Sequence, residues 1–286
     1  MAFLGACAAL SAERMHEDQR PYRELVEALF EGGAASAAEL IFPWLEHHAT
    51  ERDWLAAFAL RSGPEAAVAI EDLWRLYGLS RVVQLLILGF QRGDADGSAW
   101  TGPVISPSEL AVFAGQLGLS LLVPTRFSAF ECEIVQAEQA LAKDAPVALV
   151  QHHWPCLMLG ELLIQRAGVS ISGGSSQFDA SVAGSSTLYW AYRRKTRPYR
   201  DLSHGWGGNS QWRTRFRRDY RVGTKLHYNV DGEHSLAEAQ ATLDRDGLTR
   251  EERSELLTHR CFILTTKPSD ELWPYDDRLT LDASAG

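Results

Sequence analysis

The chain reads as an α+β protein: an N-terminal helical region over about residues 1–100, then over 101–286 a mixed, mainly antiparallel sheet with flanking helices. Three observations predict this. Apolar residues recur at helical spacing up to about residue 91, and short β-rich runs bounded by turn residues replace them after about residue 118. Between the two regimes lies Gly93-Asp94-Ala95-Asp96-Gly97-Ser98, a polar, glycine-rich stretch that reads as a loop or linker and sets a domain boundary near residue 100.

From about Ala8 to Gln91 the spacing predicts about five helices. Tyr22, Val26, Leu29 and Phe30 form one apolar stripe and Trp54, Leu55 and Phe58 another, with breaks at Gly32-Gly33 and Gly63-Pro64. Ser106-Pro107-Ser108-Glu109 combines an N-cap, a proline at the first helical position and a capping-box glutamate, so a helix opens there and runs to about Leu117. Strands are expected over 119–123, 131–135, 147–150, 188–192, 211–222, 225–230 and 261–265. Helices are expected near 157–166, 236–243 and 250–257, the last two with capping boxes at Ser235/Glu238 and Thr249/Glu252. Arg221 to Lys225 reads as a hairpin. Residues 168–186, rich in Gly and Ser, read as a mobile loop and a lid for any neighbouring site.

At 286 residues and 45% hydrophobic content the chain can bury one large core or two modest ones. Its four cysteines are far apart, which suits a reducing compartment, and the cytoplasm is the expected location. Met1 to Leu10 lacks the basic flank of a signal peptide, and the apolar run 82–90 is short for a bilayer, so no membrane role is expected. A formal net charge of -9 excludes general coating of nucleic acid.

Charge is nevertheless segregated. Residues 193–225 hold eleven of the 28 Lys and Arg against Asp201 and Asp219 alone, a local +9 in a chain that is -18 elsewhere. Such a patch points to a ligand bearing phosphate or carboxylate. Read at a two-residue period, 211–222 becomes a strand with Arg213, Arg215, Arg217 and Arg221 on one face and Trp212, Phe216 and Tyr220 on the other. Upstream, Trp206, Gly207, Gly208 and Asn209 belong to a glycine-rich loop able to turn successive amides toward an anion. Trp190, Tyr192, Tyr199, Trp206 and Trp212 offer stacking surfaces. The alternative is that the arginines pair with the protein's own acids and the aromatics are core.

Three groups are candidates for chemistry. Asp201 and His204, spaced for an acid-oriented imidazole, would serve as general acid and base. Cys156, expected at the first turn of a helix after His152-His153-Trp154-Pro155, would be a nucleophile activated by the helix dipole. Glu131 and Glu133 share a strand face and either share acid–base duty or supply counter-charge to the arginines. Metal signals are weak: His47-His48 diverge on a helix, and the partial EF-hand pattern at Asn229, Asp231 and Glu238 is explained by a turn. No phosphate-binding Walker loop, dinucleotide fingerprint or nucleophile elbow appears, so no cofactor is named. The leading reading is an enzyme, a hydrolase or transferase, binding an anionic small molecule that is phosphorylated or a polycarboxylate. The alternatives are a nucleic-acid-binding module and an interaction protein that docks an acidic partner.

Overall fold

Helices follow the apolar stripes of the N-terminal region. The computed structural model describes residues 21–32, 36–93, 100, 102–201, 215–238, 247–267 and 276–283. In it, α1 (21–31) buries Tyr22, Leu25, Val26 and Leu29, the side of the helix that carries the stripe. Next come α2 (Ala37–His47), α3 (Thr50–Arg61), which stops ahead of Gly63-Pro64, and α4 (Ile70–Leu86), extended by a 3-10 turn at Ile87–Phe90. The stretch 70–90 is long and apolar enough to cross a membrane, but 72% of its apolar window is buried inside the protein, so its apolarity is that of a core helix. α5 (Pro107–Gln116) starts where its capping box predicts: Glu109 N–H donates to Ser106 Oγ at 3.2 Å, and the Glu109 carboxylate accepts Ser106 N–H at 2.6 Å.

The remaining chain builds sheets: β1 (Ser120–Leu122), β2 (Cys132–Gln139), β3 (Ala148–Trp154), β4 (Cys156–Leu159), β5 (Leu162–Gln165) and β6 (Ala167–Gly173). After α6 (Ala180–Ala183) come β7 (Leu188–Tyr189), β8 (Tyr199–Arg200), β9 (Tyr220–Val222), β10 (Lys225–Tyr228) and β11 (His234–Ser235). The chain then forms α7 (Arg250–His259), opened by its Thr249/Glu252 capping box, and β12 (Asp277–Asp282). A seven-stranded sheet has the order β1-β4-β5-β9-β10-β12-β11 and is antiparallel except for the last pair. β2-β6-β3 form a second sheet, with β6 in the middle. The architecture is α+β, a helical N-terminal region on a large antiparallel sheet.

Alternation along the β4–β5 hairpin shows how the layers stack. Leu157, Leu159, Leu162 and Ile164 join the core under the helices with Leu76, Val83, Leu110 and Phe113. Cys156, Met158 and Leu163 point the other way, into a second core with Ile134, Val169, Ile171 and Tyr228. The hairpin is thus buried on both faces. The first of these cores takes residues from both sides of position 100.

Several expected elements differ. Residues 157–166 form a hairpin where a helix was expected, because a strand covered on both sides carries a continuous apolar run and loses the alternation that marks it. Within 168–186, the expected mobile lid, β6 is the central strand of its sheet and largely buried, followed by a short helix capped by Asp179. Residues 261–265 are irregular; their backbone N–H groups at 263, 264 and 265 all donate to the Glu255 carboxylate, so they do not pair in a sheet. Of the expected strand 211–222 only Tyr220–Val222 is a strand, 215–219 are irregular, and 211–214 lie outside the described residues. Residues 236–238 form a turn and 239–246 also lie outside them.

Glycine in β6 is a packing requirement. A Cβ built on Gly168 would fall 2.4 Å from the Trp154 ring, whose indole N–H is fixed by the Arg166 carbonyl at 2.8 Å. Gly168→Ala is therefore expected to destabilise the protein by about 1–3 kcal/mol through overpacking, measured as a shift of the urea midpoint. A midpoint unchanged from the parent would show that the indole can retreat.

Candidate anion-binding cleft

Two ends of the basic window meet on α4. Tyr77, Ser80, Arg81 and Gln84, spaced along one side of that helix, face a small cleft whose opposite wall is built by Trp190, Tyr192 and Asp201, then Arg215 and Arg217, with Arg260 closing it after α7. The lining holds four guanidinium groups and a single carboxylate. The cleft is small, about 30 Å³, and open to solvent on one side, so most of a larger ligand stays outside it.

Arg81 is the anchor of the α4 wall. Its guanidinium lies 3.6 Å from the Tyr192 ring centroid and 4.6 Å from that of Tyr77, and it donates to Asp201 Oδ2. The Tyr77 hydroxyl donates to the same oxygen at 2.6 Å. Burial pulls the Arg81 pKa down, with the Asp201 charge opposing it.

The other wall carries more positive charge than it neutralises. Arg217 and Arg260 share one carboxylate: Arg217 Nε donates to Asp219 Oδ1 at 2.8 Å and Arg260 Nη2 to Asp219 Oδ2 at 2.9 Å. Arg217 also donates Nη2 to the Leu257 carbonyl at 2.7 Å and stacks over Trp190 with its guanidinium carbon 4.2 Å from the ring centroid. Its Nη1 is buried and finds no partner among the described residues, although its side chain is only 2% exposed. Burial draws the Arg217 pKa down to about 10, Asp219 supports the cation and Arg260 opposes it, so the group is still charged at neutral pH. Behind this wall Arg166 is drawn down to about 9 by burial and by Arg260, and among the described residues the carbonyls of Ala129 and His259 are what accept from it. Trp190 and Arg260 both sit at positive φ, 55° and 59°, a conformation that costs a non-glycine residue on the order of 1 kcal/mol or more.

The expected comb of alternating arginines does not form. Irregular backbone at 215–219 sends successive side chains to different places. Arg215 is 44% exposed at the rim, Arg217 enters the core, and Arg218 is buried in a bidentate pair with Asp231 at 2.8 and 2.6 Å. Arg221, on β9, bonds Glu131, and Glu133 is enclosed with Arg194, so both glutamates act as counter-charge. Internal pairing therefore consumes Arg218 and Arg221, while Arg215 and Arg217 remain on the cleft.

Cys156 is corrected as well. It lies on β4, has no helix start to favour its thiolate, and burial pushes its thiol up to about 12, which makes it an inert core residue. Asp201 is at the cleft, held by α4. His204, Trp206, Gly207, Gly208, Asn209, Trp212 and Arg213 lie outside the described residues. Sequence reasoning missed Tyr77, Arg81 and Arg260. The sign of Arg81 was present: a charged residue inside the apolar run Leu79 to Leu88 has to be buried with a partner. Comparison with family models, with curated proteins and with solved structures found no match to this chain.

Proposed function

We propose that this protein binds a small anionic ligand in the cleft between α4 and the 215–217 segment and acts on it as a hydrolase or transferase. One observation carries the reading: among the described residues, Arg217, whose side chain lines the cleft, has a buried Nη1 with no hydrogen-bond partner, beside an Arg260 that donates to a protein acceptor through one nitrogen alone. A buried donor without an acceptor costs about 1–3 kcal/mol, and an anion's oxygen removes that cost. Trp190 and the two tyrosines around Arg81 strengthen the field by keeping water from the guanidiniums. The 2.6 Å contact between Tyr77 and Asp201 places a proton donor and acceptor beside the anion, as acid–base chemistry requires, with His204 a second candidate base. The exposure pattern favours a small ligand over a nucleic-acid strand, since tracking a phosphate backbone needs a row of exposed cations, and Arg217 and Arg218 are buried. The reading includes a cytoplasmic location, supported by the free buried thiols Cys132, Cys156 and Cys261.

Thermal-shift titration with phosphate, sulfate and citrate tests the binding. A ligand that binds the folded state alone adds about 2.7 kcal/mol at a hundredfold excess over its Kd. Arg215→Gln, at the exposed rim, leaves the core intact and is expected to weaken binding by about tenfold or more, the loss of one charge-assisted bond. No shift with any of these anions would overturn the reading.

A further inference from the structure

We infer that the cleft selects a dianionic, tetrahedral oxyanion, the phosphate group of a monoester, over a monocarboxylate; this rests on the anion-binding reading above. Charge decides it. Arg81, Arg215, Arg217 and Arg260 face two carboxylates, Asp201 and Asp219, which leaves a surplus of two positive charges. Asp231 does not reduce it, because both its oxygens are bonded to Arg218 and Arg215 stands off at 3.9 Å. A monocarboxylate neutralises half of this surplus, whereas a phosphate monoester carries about two charges near neutral pH, with a second pKa of about 6.

Shape agrees with charge. Among the described residues, nitrogens without a hydrogen-bond acceptor belong to arginines on three separate segments: Arg217 Nη1 in the buried wall, Arg260 Nε and Nη1 after α7, and Arg215 at the rim. A planar carboxylate presents two oxygens in one plane, suited to a single guanidinium fork. A phosphate presents three, spread in space, and can be shared among guanidiniums carried by three separate segments.

The ligand's own titration provides the test. Among the described residues, the charged and titratable groups that line the cleft are Tyr77 and Arg81 from α4, Tyr192, Asp201, Arg215, Arg217 and Arg260, with Asp219, Arg166, Tyr228 and His259 behind. Burial and Arg166 draw the His259 imidazole down to about 3, so it stays neutral through the range tested. Calorimetric titration of the intact protein with methyl phosphate, sulfate and acetate should be run at about pH 8 and about pH 5, on either side of the phosphate's second pKa. Sulfate is a dianion at both, so its own change in affinity reports the titration of the protein. The ratio of methyl phosphate to sulfate affinity is expected to fall about tenfold from the higher pH to the lower, with acetate weaker than either at both. A constant ratio, or acetate binding as tightly as sulfate, would overturn the dianion assignment and leave the anion site standing. Failure of all three ligands to bind would remove the anion site itself.

Discussion

Asp219→Ala is expected to lower the folding free energy by about 3–5 kcal/mol, measured by urea denaturation at neutral pH. The side chain is 2% exposed and accepts from Arg217, from Arg260 and from the Asn229 backbone N–H at 2.7 Å. Removing it strands two guanidiniums and an amide at once, with Arg166 close behind to repel them. Asp219→Asn keeps the shape and part of the hydrogen bonding but not the charge, so its loss should be smaller. Burial alone would raise the Asp219 pKa, yet the charges of Arg217 and Arg260 outweigh it and hold the folded value below the usual carboxylate range. A carboxyl group depressed in the folded state contributes its stability above the unfolded pKa of about 3.9 and loses it as pH falls through the folded value. The parent should therefore lose stability in strongly acidic solution more steeply than the alanine variant does. A loss below about 1 kcal/mol at neutral pH would mean that Asp219 is not what holds this wall together.

That a wall so charged could be only half-read from sequence has a physical cause. The basic window was legible as composition, and Arg215 and Arg217 do reach the cleft. What composition lacks is backbone direction. Alternation at 211–222 suits a strand, but Arg217 and Asp219 pair with each other and with Arg260 while Arg218 turns away to Asp231, and the backbone at 215–219 is irregular. Burial of Arg218 against Asp231 and pairing of Arg221 with Glu131 depend on contacts thirteen and ninety residues away, which no local pattern encodes.

The fold shows the same division. Local signals worked where the physics is local: both capping boxes with complete helices behind them, at Ser106 and Thr249, start those helices, and Gly223 at φ +58° turns the β9–β10 hairpin. Signals failed where burial on both faces erased periodicity. Cys156 to Leu159 and Leu162 to Ile164 are apolar throughout because β4 and β5 separate two cores, and the helix expected there took the thiol of Cys156 with it. In β6 the alternation Ala167, Val169, Ile171 against Gly168, Ser170, Ser172 was present, but its small residues read as a loop. Gly168 has no side chain because Trp154 packs on it and leaves no space for one.

Glu133→Leu is expected to cost about 3–5 kcal/mol, and adding Arg194→Met to it is expected to restore most of that loss. Arg194 grips Glu133 with Nε at 2.6 Å and Nη2 at 2.8 Å, with 1% and 3% of the two side chains exposed. A buried ion pair gives back in attraction about what its desolvation costs, so losing one partner is severe while replacing both with apolar groups is close to neutral. This pair also has a positioning role. Arg194 Nη1 donates to Gln84 Oε1, which also accepts the Tyr192 N–H at 3.1 Å, and Gln84 Nε2 donates to Gln165 at 2.6 Å. The network thus ties β2, β5 and the Tyr192 segment to α4, the helix that presents Tyr77 and Arg81 to the cleft. In the double variant, anion affinity should stay low after stability has returned, because Gln84 has lost the cation that orients it. Recovery of both stability and affinity would confine Arg194 to holding Glu133, whereas recovery of stability alone would identify the buried pair as the element that sets the cleft's width.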